Sequence, residues 1–175
     1  MAVESKKSTA ITNATATPPT INSANIEKGN LRESQGFAVI TNGDSVASTY
    51  RLARIRSGDR MSEIKVYSPD IGTTTAGDLG LYRTNPDGGA VVDVDFYASA
   101  LSLNGGALNG VDITFEAAAA GGLIANAEKR VWECLGLTAD PHLEYDITLT
   151  LTGAADAAGT ALFRFRFVSG PAATL

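Results

Sequence analysis

Asp93 and Asp95 stand one residue apart in a stretch where polar and apolar side chains alternate. On a β-strand such a pair shares one face, with carboxylates about 6.5–7 Å apart from the rise per residue. That spacing suits a hard cation such as Ca2+, or the two carboxyls of a glycosidase. The longer run of oxygen ligands that completes a calcium loop is missing, so the plainer reading is a solvated strand face. Other chemistry has few candidates. The chain has one histidine, His142, and one cysteine, Cys134. One of each cannot build a zinc cluster, and a lone cysteine cannot form a disulfide within the chain. His142 follows Asp140-Pro141, which reads as a turn. Gly43-Asp44-Ser45-Val46-Ala47 comes nearest to a nucleophile elbow but lacks the second glycine. Neither glycine-rich phosphate motif is present. These residue types argue against an enzyme and call for no cofactor.

A sugar-binding platform would need exposed aromatics. There are 12 aromatic residues, and Phe163, Phe165 and Phe167 sit where a core belongs. Tyr50, Tyr67, Tyr82 and Tyr97 remain available for such a role.

The elements that would position these residues follow from composition and period. A chain of 175 residues suits one domain, or one domain with a tail. Its formal net charge of −5 disfavours nucleic acid and anionic membrane as partners. No apolar run is long enough to span a bilayer, and residues 1–25 lack the apolar stretch of a secretory signal. With 18 glycines and only 19% charged residues, the composition fits an all-β domain with many turns.

Strand signals begin near Gly36. Residues 36–42 form a short apolar run ending in Asn42-Gly43-Asp44. Residues 48–56 and 61–67 flank Ser57-Gly58-Asp59 and read as a hairpin. Residues 77–84 lead into Asn85-Pro86-Asp87-Gly88-Gly89, a strong turn. Residues 90–96 alternate, residues 103–110 read as a connection, and Val111, Ile113 and Phe115 alternate again. Ala127, Val131, Cys134 and Leu135 share a helical face, with Asn126 as N-cap and Gly136 in the left-handed position after the end. Cys134 on that face reads as a buried, inert thiol.

The last two strands carry the clearest pattern. Tyr145, Ile147, Leu149 and Leu151 alternate with polar residues, as do Phe163, Phe165 and Phe167. Read as a hairpin in which Gly153 pairs with Gly159, Leu149 faces Phe163 and Ile147 faces Phe165. Asp146 then meets Arg166 in solvent. The whole predicts an antiparallel β-sandwich, jelly-roll-like, with one short helix.

The first 25 residues differ. Thr, Ala, Ser, Asn and Pro make up 18 of them. Such a segment buries too little apolar surface to offset its ordering entropy, and Pro18-Pro19 favours an extended path. The reading divides the chain into an extended arm over residues 1–33 and a sandwich over residues 34–175. The arm is either a disordered tail or a segment that orders on a partner. Ile11, Pro18, Pro19, Ile21 and Ile26 are its candidate contact residues. Asn13-Ala14-Thr15 matches a glycosylation acceptor, without an export signal to accompany it.

Two blocks carry a resemblance. The first is Ser68-Pro69-Asp70, residues 78–82 (DLGLY) and residues 89–96 (GAVVDVDF). The second is residues 129–133 (KRVWE), residues 135–137 (LGL), Asp140-Pro141 and residues 145–148 (YDIT) with the Ala/Gly loop that follows. Together they resemble the decoration or cement proteins of tailed-bacteriophage capsids, over roughly residues 36–170. The resemblance implies a jelly-roll-like sandwich on the outer capsid surface of the virion, made in the host cytoplasm. It implies a protein that braces neighbouring major capsid subunits, has no catalytic residues, and often uses an extended terminal arm. Self-association is expected as a homodimer, with a homotrimer as the alternative, since two-fold symmetry is the commonest. The competing reading is a phage head-fibre or tail adhesin domain that binds a host-surface glycan.

Overall fold

The computed structural model describes residues 4, 6–24, 26–116 and 120–169. Among them are eight strands: β1 (Asn30–Ile40), β2 (Thr49–Arg56), β3 (Arg60–Ser68), β4 (Ala76–Arg83), β5 (Val91–Ser102), β6 (Leu108–Asp112), β7 (Glu144–Gly153) and β8 (Gly159–Ser169). Two short helices accompany them, α1 (Thr9–Ala14) and α2 (Val131–Cys134). Neither is long and apolar enough to cross a membrane.

The strands form two four-stranded sheets, in the orders β1-β8-β3-β6 and β2-β7-β4-β5. Every pairing is antiparallel. Strand 1 pairs with 8, 2 with 7, 3 with 6 and 4 with 5. A long double ribbon wound around a core gives this order, which is the jelly roll. The expected all-β sandwich is therefore the observed fold.

Two expected hairpins are not hairpins. β2 and β3 flank the Ser57–Asp59 turn but belong to opposite sheets, and so do β7 and β8. Leu149 pairs with Tyr50 and Leu79, while Phe163 pairs with Gly36 and Val66. The two apolar rows meet across the roughly 10 Å between packed sheets instead of side by side. Alternation specifies which face of a strand is buried. It does not specify which strand lies beside it.

The core sits between these rows. Phe163 and Phe165 are fully buried with ring planes 10° apart and centroids 6.3 Å apart. Leu79, Leu81, Ile147 and Leu149 supply the opposing sheet, and Ile64 and Val66 the neighbouring strand.

β5 departs from the expected alternation. Leu79 pairs with Ala98 but Leu81 pairs with Asp93, so residues 94–97 all stand opposite Gly80. A side chain at Gly80 would collide with the carbonyls of Asp93 and Val94. The bulge buries Phe96, Tyr97 and Ala98 in succession, with the Phe96 and Tyr97 rings edge to face at 4.8 Å. Gly121 packs against the Phe96 ring from a 3-10 turn at Ala120–Gly122.

The predicted helix over 127–135 shrinks to α2. Asn126 ends a separate 3-10 turn, Ile124–Asn126, and Arg130 takes the N-cap position, its N–H donating to Glu133 Oε2 at 2.7 Å. The reason is tertiary. The first N–H groups of α2, from Val131 and Trp132, donate to the Asp59 and Ser57 carbonyls of the β2–β3 turn. Gly136 is left-handed at φ 71°, as expected.

The arm also differs from a purely extended path. Ser8 caps α1 by accepting from the Ile11 N–H at 3.4 Å. The sandwich begins at Asn30, which pairs with Ser169. The expected boundary at residue 34 thus cuts through β1. Residues 1–3, 5 and 25 of the expected arm, and 117–119 and 170–175 of the expected sandwich, lie outside the described residues.

Phe165→Ala should cost about 3–5 kcal/mol in urea unfolding, from lost burial and a cavity at the centre of the sandwich. A cost under about 1 kcal/mol would contradict this placement of the core.

Candidate functional site

The five candidate contact residues lie in a small self-contained unit ahead of β1. Asn22 ties it together. Its Nδ2 donates to the Ala10 carbonyl at 3.1 Å and to Glu27 Oε2 at 2.7 Å, and its Oδ1 accepts from Asn13 Nδ2 at 2.7 Å. The Thr20 N–H donates to the Asn13 carbonyl. These bonds fold residues 15–22 back on α1. They do so without an apolar interior, and no residue of α1 is buried. Ile11 is 52% exposed and Ile21 95% exposed. Pro18 and Pro19 are also exposed, and Ile26 is half-buried. The structure thus collects the candidates in one unit and leaves four of the five open to solvent. At its far end Gly29 runs against Val168 of β8.

The catalytic candidates lie in three separate places. The Asp95 N–H donates to Asp93 Oδ1 at 3.3 Å. Burial, and then the neighbouring Asp95 carboxyl, raise the Asp93 carboxyl above its ordinary range. Among the described residues no group of three or more His, Cys, Asp or Glu side chains is placed to hold a metal ion.

Ser57, Asp140 and His142 do come together, and their order matters. Ser57 Oγ donates to Asp140 Oδ1 at 2.5 Å and accepts from the Leu143 N–H at 3.0 Å. His142 is exposed, with Nδ1 3.7 Å from Asp140 Oδ2. A catalytic triad places the imidazole between serine and carboxylate. Here the carboxylate lies between the other two, so the imidazole does not face the buried serine. The arrangement pins the β2–β3 turn to the segment before β7. Cys134 is half-buried, and burial pushes its thiol up to about 11, away from the reactive range.

The tyrosines do not form a platform. Tyr97 is buried, and burial raises its hydroxyl well above the ordinary range. Tyr50 donates to Asp44 Oδ2. The Tyr67 ring lies 5.4 Å from the Arg164 guanidinium, and Tyr82 lies 5.6 Å from that of Arg51.

The expected partnership of Asp146 with Arg166 is replaced by two separate networks, one on each sheet. Asp146 is only 6% exposed. It accepts from Arg51 Nη1 at 2.7 Å and Arg54 Nε at 2.9 Å. Arg51 also donates to the carbonyls of Arg83 and Gly89. On the other sheet Arg166 bridges Glu33 at 2.8 Å and Glu63 at 2.9 Å. The Arg166 hydrogen bond holds the Glu33 carboxyl below the usual range. Residues 51 and 146 are 95 apart in sequence, and only the winding of the ribbon joins them.

No family model matches the chain, and no curated protein matches it. Two solved structures are similar to it over most of their length. A chain of the cyanophage Pam1 capsid asymmetric unit aligns over 81% of this chain and 86% of its own length, at 13% identity and a TM-score of 0.45. A chain of the acid-stable capsid of Helicobacter pylori bacteriophage KHP30 aligns over 80% and 89%, at 9% identity and a TM-score of 0.45.

Asp146→Ala should cost about 2 kcal/mol in urea unfolding, because two charge-assisted hydrogen bonds vanish while both partly exposed arginines can rehydrate. A cost under about 0.5 kcal/mol would show the network to be ornamental.

A second prediction concerns acid. Donation from the Thr73 hydroxyl, and then from the Thr73 N–H, holds the Asp156 carboxyl at about 2, against an ordinary 3.8. Its folded value is depressed, so its contribution is complete above the ordinary value and disappears as pH falls toward about 2. The stability gap between the native protein and Asp156→Asn should therefore narrow over that window. A gap that stays constant in denaturation curves across it would refute the linkage.

Proposed function

We propose that this protein is a structural component of a bacteriophage virion. It binds the outer surface of the capsid and stabilises it by bridging major capsid subunits. The observation that carries this reading is the N-terminal unit, which presents Ile11 and Ile21 to solvent ahead of a closed jelly roll. An apolar side chain so exposed gains from being covered, at roughly 25 cal/mol per Å2. A rigid sandwich that carries such a unit can contact one capsid subunit with its body and the next with its arm. Many copies on one particle sum modest affinities.

The sequence blocks that resemble capsid decoration proteins supply the virion context. In this reading the partners are the major capsid protein and a second copy of the chain, with a trimer as the alternative assembly. The acidic net charge of −5 weakens adhesion to DNA. No chemical step is assigned to the protein. A glycan-binding adhesin has less support, since Tyr97 is buried and Tyr67 and Tyr82 lie under arginines.

The test uses capsids of the phage that encodes the chain. Intact protein should co-sediment with them, and protein lacking residues 1–29 should keep its thermal midpoint yet bind at least tenfold more weakly. Failure of the intact protein to sediment would remove the capsid reading. Equal binding by both forms would remove the role of the arm.

A further inference from the structure

The two sheets end in four edges, and three of them are blunted. β6 is five residues long and shifts register against β3. β5 shifts register against β4 repeatedly and packs under the Ala120–Gly122 turn. β2 breaks register between Arg51 and Ala53 and carries Arg51, Arg54 and Arg56. β1 carries two charged residues, Arg32 and Glu33, but its pairing has no register shift. It runs for 11 residues, contains no proline, and pairs with β8 residue for residue without a shift. It also exposes three large apolar side chains on its outer face: Leu31 at 58%, Phe37 at 62% and Val39 at 65%. A long, regular, apolar edge strand is a template for another strand.

We propose that β1 is the self-association surface of this protein, pairing antiparallel with β1 of a second copy about a two-fold axis at Gln35. This rests on the self-association part of the reading above and specifies its surface. The placement of the side chains favours a copy of the same strand. Leu31 and Val39 lie four residues to either side of Gln35, so in this register each Leu31 faces the second copy's Val39. Phe37 then lies diagonally beside the second copy's Leu31, within reach of a large side chain. Both strands pair along their full length, and all three exposed apolar residues of each copy gain neighbours.

Charge agrees with the same register. Glu33 faces the second copy's Phe37, with that copy's Gln35 amide on the diagonal, so a carboxylate meets a donor. Arg32 faces the second copy's Ala38. No like charges meet. An axis at Phe37 would place that ring against itself and carry Leu31 beyond the partner strand's end. An axis at Glu33 would set the two carboxylates against each other. An axis at Ser34 would carry Val39, and one at Gly36 would carry Leu31, beyond the partner strand's end, while a pairing slipped by a single residue would exchange the faces of the incoming strand. The product is one continuous eight-stranded sheet across two sandwiches.

The experiment uses the full chain in solution. Sedimentation equilibrium should give a dimer for the native protein. Phe37→Lys with Val39→Lys should weaken it at least tenfold with an unchanged circular dichroism spectrum, since both positions face solvent in the single copy. In a Cys134→Ala background, Gln35→Cys should form a disulfide-linked dimer on mild oxidation, because the two positions face each other at the axis. Glu63→Cys, two strands away, should not. A native protein that stays monomeric or forms trimers would overturn the proposal. So would a dimer indifferent to the lysines, or a Gln35→Cys variant that does not cross-link. Capsid co-sedimentation is read separately, so either proposal can fail while the other stands.

Discussion

The inward row of β8 meets the inward rows of β7 and β4 across the sandwich, and the rest of the fold is arranged around that contact. Phe163 and Phe165 stack along their strand and fill the space opposite Leu79, Leu81, Ile147 and Leu149. With both rows fully apolar, the stable place for each is against the other. That requirement sends β7 and β8 into different sheets and gives each of them two strand neighbours. β8 takes β1 and β3, and β7 takes β2 and β4. The ribbon winds because its most apolar strands are consecutive and must end up face to face.

Polar side chains then fasten the segments that the winding leaves loose. Asp156 accepts from Thr73 and Thr74 and holds the β7–β8 connection against the β3–β4 connection. Ser57 and Asp140 hold the β2–β3 turn against the approach to β7. Asp146 gathers Arg51 and Arg54 on one sheet, and Arg166 gathers Glu33 and Glu63 on the other. Several residues that a search for chemistry would select are thereby committed to structure. Of these carboxylates, Asp156 and Glu33 are held below the usual range by donation from Thr73 and Arg166, which makes each a weaker base.

What remains outward-facing belongs to surfaces. The N-terminal unit is held by hydrogen bonds among Asn13, Asn22 and Glu27 and keeps its isoleucines exposed. β1 keeps a regular apolar edge beside three edges that are broken or covered. In the proposed function and the proposed dimer these are the surfaces that other molecules would cover.

By itself the sequence determined the class of the fold, the identity of most core residues and the separate composition of the first 25 residues. Period-2 alternation marks the buried face of a strand wherever it lies, so Ile147, Leu149, Phe163 and Phe165 were legible as core. The exposed arm residues were legible for the converse reason, since a polar, proline-bearing segment has no core to offer them. Strand neighbours were not legible, because a hairpin and a crossing between sheets satisfy the same alternation. The partners of Asp146 followed the same uncertainty. Arg166 was the neighbour a hairpin would provide, and Arg51 became the neighbour only when β2 was laid beside β7. The shortening of α2 and the bulge at Gly80 were likewise decided in three dimensions. Distant carbonyls took the helix's first N–H groups, and a close crossing of backbones left no room for a side chain. Local pattern decides what must be hidden, and only the winding of the whole chain decides what hides it.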